Sequence, residues 1–378
     1  MTPVQFARPY FGPEEAAAAA EAVESGWVVG GPQLRQLEKA FADHCGVPYA
    51  VGVSSWTTGA FLVLKTLGIG PGDEVLVPSL TFIATVNAIV HAGATPVFVD
   101  VDPKTYNIDP ADITHRITAK TRAIMPVDQI GLPCEIDRIA EIADAHGLLL
   151  VADAACSFAS AFRGRAIGSQ APITIFSLHA RKVVTTGEGG MIVTADEDLA
   201  ERLRRQRHQG MSLSDYQRHG QSPTMFETYP EIGYNFRITD VQAGIGVAQI
   251  ARLPEMLRLR REAAERYLAR LGQHPDLLMP FVPSHVTPNW QSFQLRLRAE
   301  CGVTRNDLME RLHGHGVPTR RGVMASHLEP PYRSMHAKLP VTEMLAEQCL
   351  QLPMHPALTQ DQVDFVANEV IGALTNRG

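Results

Sequence analysis

No run of about 18 apolar residues occurs anywhere in the 378-residue chain, which excludes an ordinary membrane-spanning helix. The opening stretch, MTPVQFARPYFGPEE, has no basic segment leading into an apolar one, so no secretory leader is expected there. Cysteine is scarce: Cys45, Cys134, Cys156, Cys301 and Cys349 are scattered, odd in number and never spaced C-x-x-C. That pattern argues against a disulfide framework and a thiolate zinc site, predicts no metal, and fits a reducing cytoplasm. The formal net charge is −6, so no basic excess invites nucleic acid or an anionic membrane. Also missing are a G-x-S-x-G elbow, a G-x-x-x-x-G-K-[ST] loop and an H-E-x-x-H pair. No internal repeat or low-complexity segment interrupts the chain.

What is present is apolar material, 45% of residues, enough for a sizeable core. Helices are predicted at 13–26, where proline stands near the start and Gly26 at the end, and at 32–46, where Leu34, Leu37 and Phe41 recur at helical spacing. Seven short apolar runs then follow: YAVGV, EVLVP, TPVFVDV, RAIMPV, LLLVADA, ITIFSL and GMIVTA. Helical patterns such as GAFLVLKTLG, FIATVNAIVHAG and EIDRIAEIADAHG lie between several of them. Strand alternating with helix predicts an α/β fold with a mostly parallel seven-stranded sheet covered on both faces. Beyond about 250 the texture changes to a long basic helix (251–272), a strand in SFQLRLRA, a helix near RNDLMERLHGHG and a closing helix at 359–374. Two domains are therefore expected: residues 1–250 as a large ligand-binding α/β unit, and 251–378 as a small α+β unit.

In a doubly covered sheet, ligands bind beyond the carboxyl ends of the strands. Three features lie there. SSWTTG (54–59) opens a helix, where free N–H groups and the dipole favour an anion; simple N-capping is the plainer reading. Asp153 closes the run LLLVADA, either as a partner for a cation or as a satisfied buried acid. Ser177 and Lys182 follow ITIF, the lysine beside a glycine-rich return; it is either a solvated surface amine or a nucleophile toward carbonyls. An anion cradle, a carboxylate and an amine on one sheet edge are what pyridoxal 5′-phosphate (PLP) requires.

The chain resembles the DegT–StrS sugar aminotransferases, PLP enzymes of the aspartate-aminotransferase-like fold, along almost its whole length. The resemblance is carried by FSLHARKVVTTGEGGMIVT, GIGPGDEVLVPSLTFIATVNAI, IGYNFRITDVQAGIGVAQI and LPMHPALT. It implies that Lys182 forms the Schiff base with PLP and shuttles protons, and that Asp153 pairs with the pyridine nitrogen. Ser177 and the backbone at Trp56 and Thr57 would hold the phosphate, and Phe82 would stack on the ring. Asn235 would reach the phosphate in a partner subunit, which implies a homodimer. Cys156 stands where relatives usually have a glutamine near the cofactor hydroxyl.

Three departures from the group are visible: Trp56 where glycine is common, Asp128 where histidine is frequent, and TRRGVMASH (319–327) in a region that usually reads otherwise. Trp56 implies either a loop suited to a non-glycine residue or a reshaped pocket wall. Arg320 and Arg321, with His327 in the same stretch, are candidate hands for a substrate diphosphate or carboxylate. The implied reaction is conversion of a keto-sugar, nucleotide-linked, to an amino-sugar with glutamate or glutamine as donor. Alternatives are a keto-cyclitol or other ketone as acceptor, a PLP-dependent sugar dehydratase, and a non-catalytic relative. Dehydratases of the family tend to carry histidine at the position of Lys182, and a scaffold has no need of a Schiff-base lysine.

Overall fold

A computed structural model describes residues 3–213 and 226–375. Its seven-stranded sheet comprises β1 (Tyr49–Val53), β2 (Glu74–Pro78), β3 (Thr95–Val99), β4 (Thr121–Ile124), β5 (Leu149–Asp153), β8 (Ile173–Ser177) and β9 (Gly190–Thr194). Two-residue strands β6 (Ala161–Phe162) and β7 (Arg165–Ala166) lie in the connection between β5 and β8. The order across the sheet is β1-β9-β8-β5-β4-β2-β3. All seven predicted runs are in it. Only β9 runs against its neighbours, antiparallel to both β1 and β8, while the remaining pairs are parallel.

Continuous apolar runs suit this sheet because helices cover both faces. Alternate residues divide between two cores. Ala50, Phe176, Met191 and Val193 enter one cluster, and Val51, Val53, Ile175 and Ile192 enter the other. Around the sheet pack α1 (Pro13–Glu24), α2 (Pro32–Cys45), α3 (Trp56–Thr66), α4 (Ile83–His91), α5 (Pro110–Arg116), α6 (Ile136–His146), α7 (Glu197–Gln206) and α8 (Asp240–Ala251). In α2, Leu34, Leu37 and Phe41 face the core as their spacing predicts, and Gly46 ends the helix at φ 67°.

The long basic helix expected from 251 begins instead at Leu253, as α9 (Leu253–Leu271). Arg252 separates it from α8, and Pro254 in its first turn cannot donate to the preceding turn. Arg252 is anchored by the buried Glu15 at 2.8 Å. Beyond it, β10 (Leu277–Leu278), β12 (Phe293–Leu297), β14 (Cys349–Leu352) and β13 (Arg320–Arg321) form a four-stranded antiparallel sheet in the order β10-β12-β14-β13. With α9, α10 (Arg305–Gly314) and α12 (Gln360–Thr375) it encloses a third cluster, joined by Val4 from the start of the chain. Strand β11 (Val286–Thr287) pairs with β6, and β6 with β7, in a three-stranded sheet that tethers this C-terminal part to the large sheet. Helix α11 (Pro340–Gln348) is capped by Asp100, which accepts from the Val341 and Thr342 N–H groups at 3.0 and 2.8 Å. No described helix is long and apolar enough to cross a membrane.

Candidate active site

The antiparallel insertion of β9 decides where the site lies. Val53, Gly190 and Ser177 share one level across β1, β9 and β8, and Asp153 lies beside Ile175 one strand further on. The carboxyl ends of β1, β8 and β5 thus meet the start of β9 on one edge.

Lys182 rides on the connection from β8 to β9. Leu178 N–H donates to Gly189 O at 2.9 Å and Thr186 N–H to Leu178 O at 3.0 Å, which closes the base of that loop. Within it, Lys182 N–H donates to His179 O at 2.9 Å, so the lysine backbone is fixed on a tight turn. The side chain is half-buried rather than fully enclosed, and its amine donates to Cys156 Sγ at 3.1 Å. It forms no ion pair with any described carboxylate. Asp153, 3% exposed, accepts from Thr85 Oγ1 at 2.8 Å and from Ala155 N–H at 3.0 Å. Burial pushes its carboxyl up to about 6, against the pull of those two donors and of the Lys182 charge. A cation or proton-bearing group set against it would relieve that cost.

The loop after β1 supplies an open set of donors. Ser55 caps α3, its Oγ accepting from Thr58 N–H at 3.1 Å, while the N–H groups of Trp56 and Thr57 meet no acceptor among the described residues. Unpaired N–H groups at a helix start attract an oxyanion. Gly190 lets this turn approach: a Cβ there would lie 2.7 Å from Ser55 C and O and 2.8 Å from Trp56 N, all backbone atoms. Ser177, 8% exposed, stands beside Gly190 in the register, its hydroxyl accepting from His179 N–H at 3.3 Å. Trp56 sits at the first position of α3, where its backbone does not need glycine, and its indole turns into the core to donate to Ile175 O at 3.2 Å. Of the two readings of Trp56, the loop suited to a side chain is the one observed; the ring does not form a pocket wall. Phe82, capping α4, is 65% exposed, an apolar ring without cover. Asn235 is also exposed, though its segment is pinned: Ser54 N–H donates to Phe236 O at 2.8 Å, and Asn235 bridges His208.

An amine in no ion pair among the described residues, a buried acid and an open anion cradle on one edge fit the aldehyde, the pyridine nitrogen and the phosphate of PLP. Residues 9–371 match the DegT/DnrJ/EryC1/StrS aminotransferase family. The chain belongs to that family. Its members are PLP-dependent aminotransferases, and this chain is one of them. It is 39% identical to the GDP-perosamine synthase of Caulobacter vibrioides, over 92% of this chain and 91% of that protein. It is 37% identical to the spore coat polysaccharide biosynthesis protein SpsC of Bacillus subtilis, over 97% and 95%. Among solved structures, the aminotransferase TlmJ of Streptoalloteichus hindustanus superposes with a TM-score of 0.91 at 36% identity, covering 98% of this chain and 99% of that one.

The aminotransferase treats its other two departures, Asp128 and residues 319–327, differently. Asp128 is buried behind the site, accepting from Ser157 Oγ at 2.6 Å and Cys134 N–H at 2.9 Å, so it braces the turn after Asp153. Its own burial raises its pKa, and its proximity helps raise that of Asp153. Arg320 and Arg321 do not act together, because successive strand residues point to opposite faces. Arg321 faces Glu329 at 3.4 Å, whereas Arg320 lies 5.2 Å from the centre of the Phe6 ring. His327, expected as a substrate hand, is 3% exposed, with Nδ1 at 2.6 Å from Ser79 Oγ and Nε2 at 3.3 Å from Glu343. Both ring nitrogens are engaged inside the fold, so the structure places it in a clamp between the end of β2 and the C-terminal part. Thr81 and Ser326 complete that clamp, Ser326 Oγ donating to Thr81 O at 2.9 Å.

Sequence reasoning overlooks Thr85 and Asn289. Thr85 lies three residues after Phe82 on the first turn of α4, a spacing that could have drawn attention to it. Asn289 donates to Cys156 O and Phe158 O, both at 2.8 Å, and fixes the turn that carries Cys156. Nothing in its local sequence announces this contact across 133 residues.

Proposed function

We propose that this aminotransferase converts a nucleotide-linked keto-sugar to an amino-sugar, with glutamate or glutamine as amino donor. The observation that carries the reading is the amine of Lys182, held in no ion pair among the described residues, and the buried acid Asp153 on the one edge that also offers the α3 cradle. The name of its relative GDP-perosamine synthase supports a nucleotide sugar as the acceptor.

Bound on this edge, PLP supplies an aldehyde that exchanges amines and a ring that takes up the electron pair left by a departing α-proton. Asp153, buried at the end of β5, would keep a proton on the pyridine nitrogen. The Trp56 and Thr57 N–H groups and the Ser177 hydroxyl would hold the phosphate, Phe82 would offer an aromatic face to the ring, and Cys156 would lie near the cofactor hydroxyl. With PLP bound, Lys182 Nζ would act as the base that moves the proton at the donor α-carbon, and the same amine would return a proton in the half-reaction with the ketone acceptor. Asn235, exposed on its own subunit, completes the phosphate site of a partner subunit. The presence of lysine at 182 disfavours the dehydratase reading, and the inward turn of Trp56 removes one argument for a cyclitol acceptor.

Lys182→Ala tests the assignment. The variant should lose turnover by about 100-fold or more and should show no near-visible band that borohydride removes. Normal transamination by Lys182→Ala would refute the proposal.

A further inference from the structure

Two arginines far apart in sequence, Arg181 and Arg320, share the ring of Phe6, and Arg181 is the chain neighbour of the candidate reactive lysine. The Arg181 guanidinium carbon lies 5.1 Å from the centre of Phe6 and that of Arg320 lies 5.2 Å from the same centre. The two charges are therefore at most about 10 Å apart, as both distances share one centroid. Neither meets a carboxylate among the described residues. Among the described residues, the Arg320 side chain hydrogen-bonds only its own neighbour, Thr319 O, at 3.0 Å. Arg321, Arg207 and Arg252, by contrast, are each paired with an acid, Glu329, Glu38 and Glu15.

Phe6 is not there by accident of a loose terminus. Met354 N–H donates to Phe6 O at 3.1 Å, His355 Nε2 lies 3.1 Å from Gln5 O, and Val4 packs in the C-terminal core. The strap 4–6 thus belongs to the C-terminal part and carries the ring up to the loop of Lys182. Two like charges held over one ring repel, and partial desolvation of the guanidinium, together with the Arg320 charge, draws Arg181 below its ordinary value although its side chain still reaches solvent. An anionic ligand relieves both costs, and guanidinium pairs suit carboxylate and phosphate oxygens.

We infer that Arg181 and Arg320, bridged by Phe6, form the anion site that fixes the charged end of the substrate while its reacting carbon lies at Lys182. The inference rests on Lys182 being the reacting amine, since Arg181 is its chain neighbour. The shared chemistry is an oxyanion, from the donor's carboxylate or from the acceptor's diphosphate.

Calorimetric titration of the PLP-loaded protein with glutarate and, separately, with inorganic pyrophosphate distinguishes the sources without turnover. The wild type should bind at least one probe. Arg181→Gln and Arg320→Gln should each weaken that binding tenfold or more, while Arg321→Gln stays within twofold. Loss confined to glutarate assigns the site to the donor, and loss confined to pyrophosphate assigns it to the acceptor. Either supports the inference. Both arginine side chains are exposed, so the variants should melt with the wild type and keep the borohydride-sensitive band, which reports on Lys182 independently. Failure of the wild type to bind either probe, or binding unchanged in both variants, would overturn the site while leaving the lysine assignment standing.

Discussion

Asp153 sets opposing demands on stability and catalysis. Its folded carboxyl holds a proton up to about pH 6, whereas the unfolded group releases it near 3.8. Its contribution to stability is therefore full below about pH 3.8 and is withdrawn as the pH rises through 6, by roughly 3 kcal/mol at most. Asp153→Asn should accordingly stabilise the cofactor-free protein at pH 7 to 8, with the gain fading toward pH 4, while the loaded enzyme loses activity. Urea unfolding of both proteins across that range is the check, and an unchanged difference between them would contradict the burial argument. His355 shifts the other way, lowered by burial to about 4, so its contribution weakens as the pH falls from 6.5; it is common to both proteins and cancels. At this scale the residues legible in the sequence are those that a strand end announces, Asp153, Ser177 and Lys182. Thr85 and Arg181 are not legible, because each meets a partner distant in sequence: Asp153 lies 68 residues from Thr85, and Arg181 lies over Phe6, near the start of the chain. His327 misleads for the same reason, since Ser79, 248 residues away, turns it inward.

On the scale of elements, the close approach of β9 to the start of α3 depends on a missing side chain. Gly190→Ala places a Cβ against three backbone atoms of the cradle, none of which can rotate away. The substitution should cost about 1–3 kcal/mol by overpacking. It should also weaken PLP retention by tenfold or more, measured by titrating the apoprotein and following absorbance. Retention equal to wild type would show that the cradle does not hold the phosphate. The seven strands are readable because their apolar runs are uninterrupted. The direction of β9 is not, because GMIVTA and ITIFSL carry the same pattern whichever way they run. The three-stranded sheet escapes for a simpler reason: strands as short as Ala161–Phe162 have no period to detect.

For the molecule as a whole, the exposed Asn235 makes a claim about two copies rather than one. If it completes the neighbouring site, Lys182→Ala and Asn235→Ala subunits should complement on mixing. A random mixture then regains wild-type sites at about a quarter of the total, since half the dimers are mixed and each holds one intact site. Activity after unfolding and co-refolding, compared with each variant refolded alone, measures it; no gain over the Asn235→Ala partner would place that residue outside the site. The turn of Trp56 into the core has a different use. The chain has three tryptophans, and Trp27 and Trp290 are both partly solvated, whereas Trp56 is 6% exposed and bonded to the strand that leads to Lys182. A shielded indole this close to a chromophore loses emission by energy transfer, so ultraviolet fluorescence dims as each site fills, and the protein reports its own loading without a label.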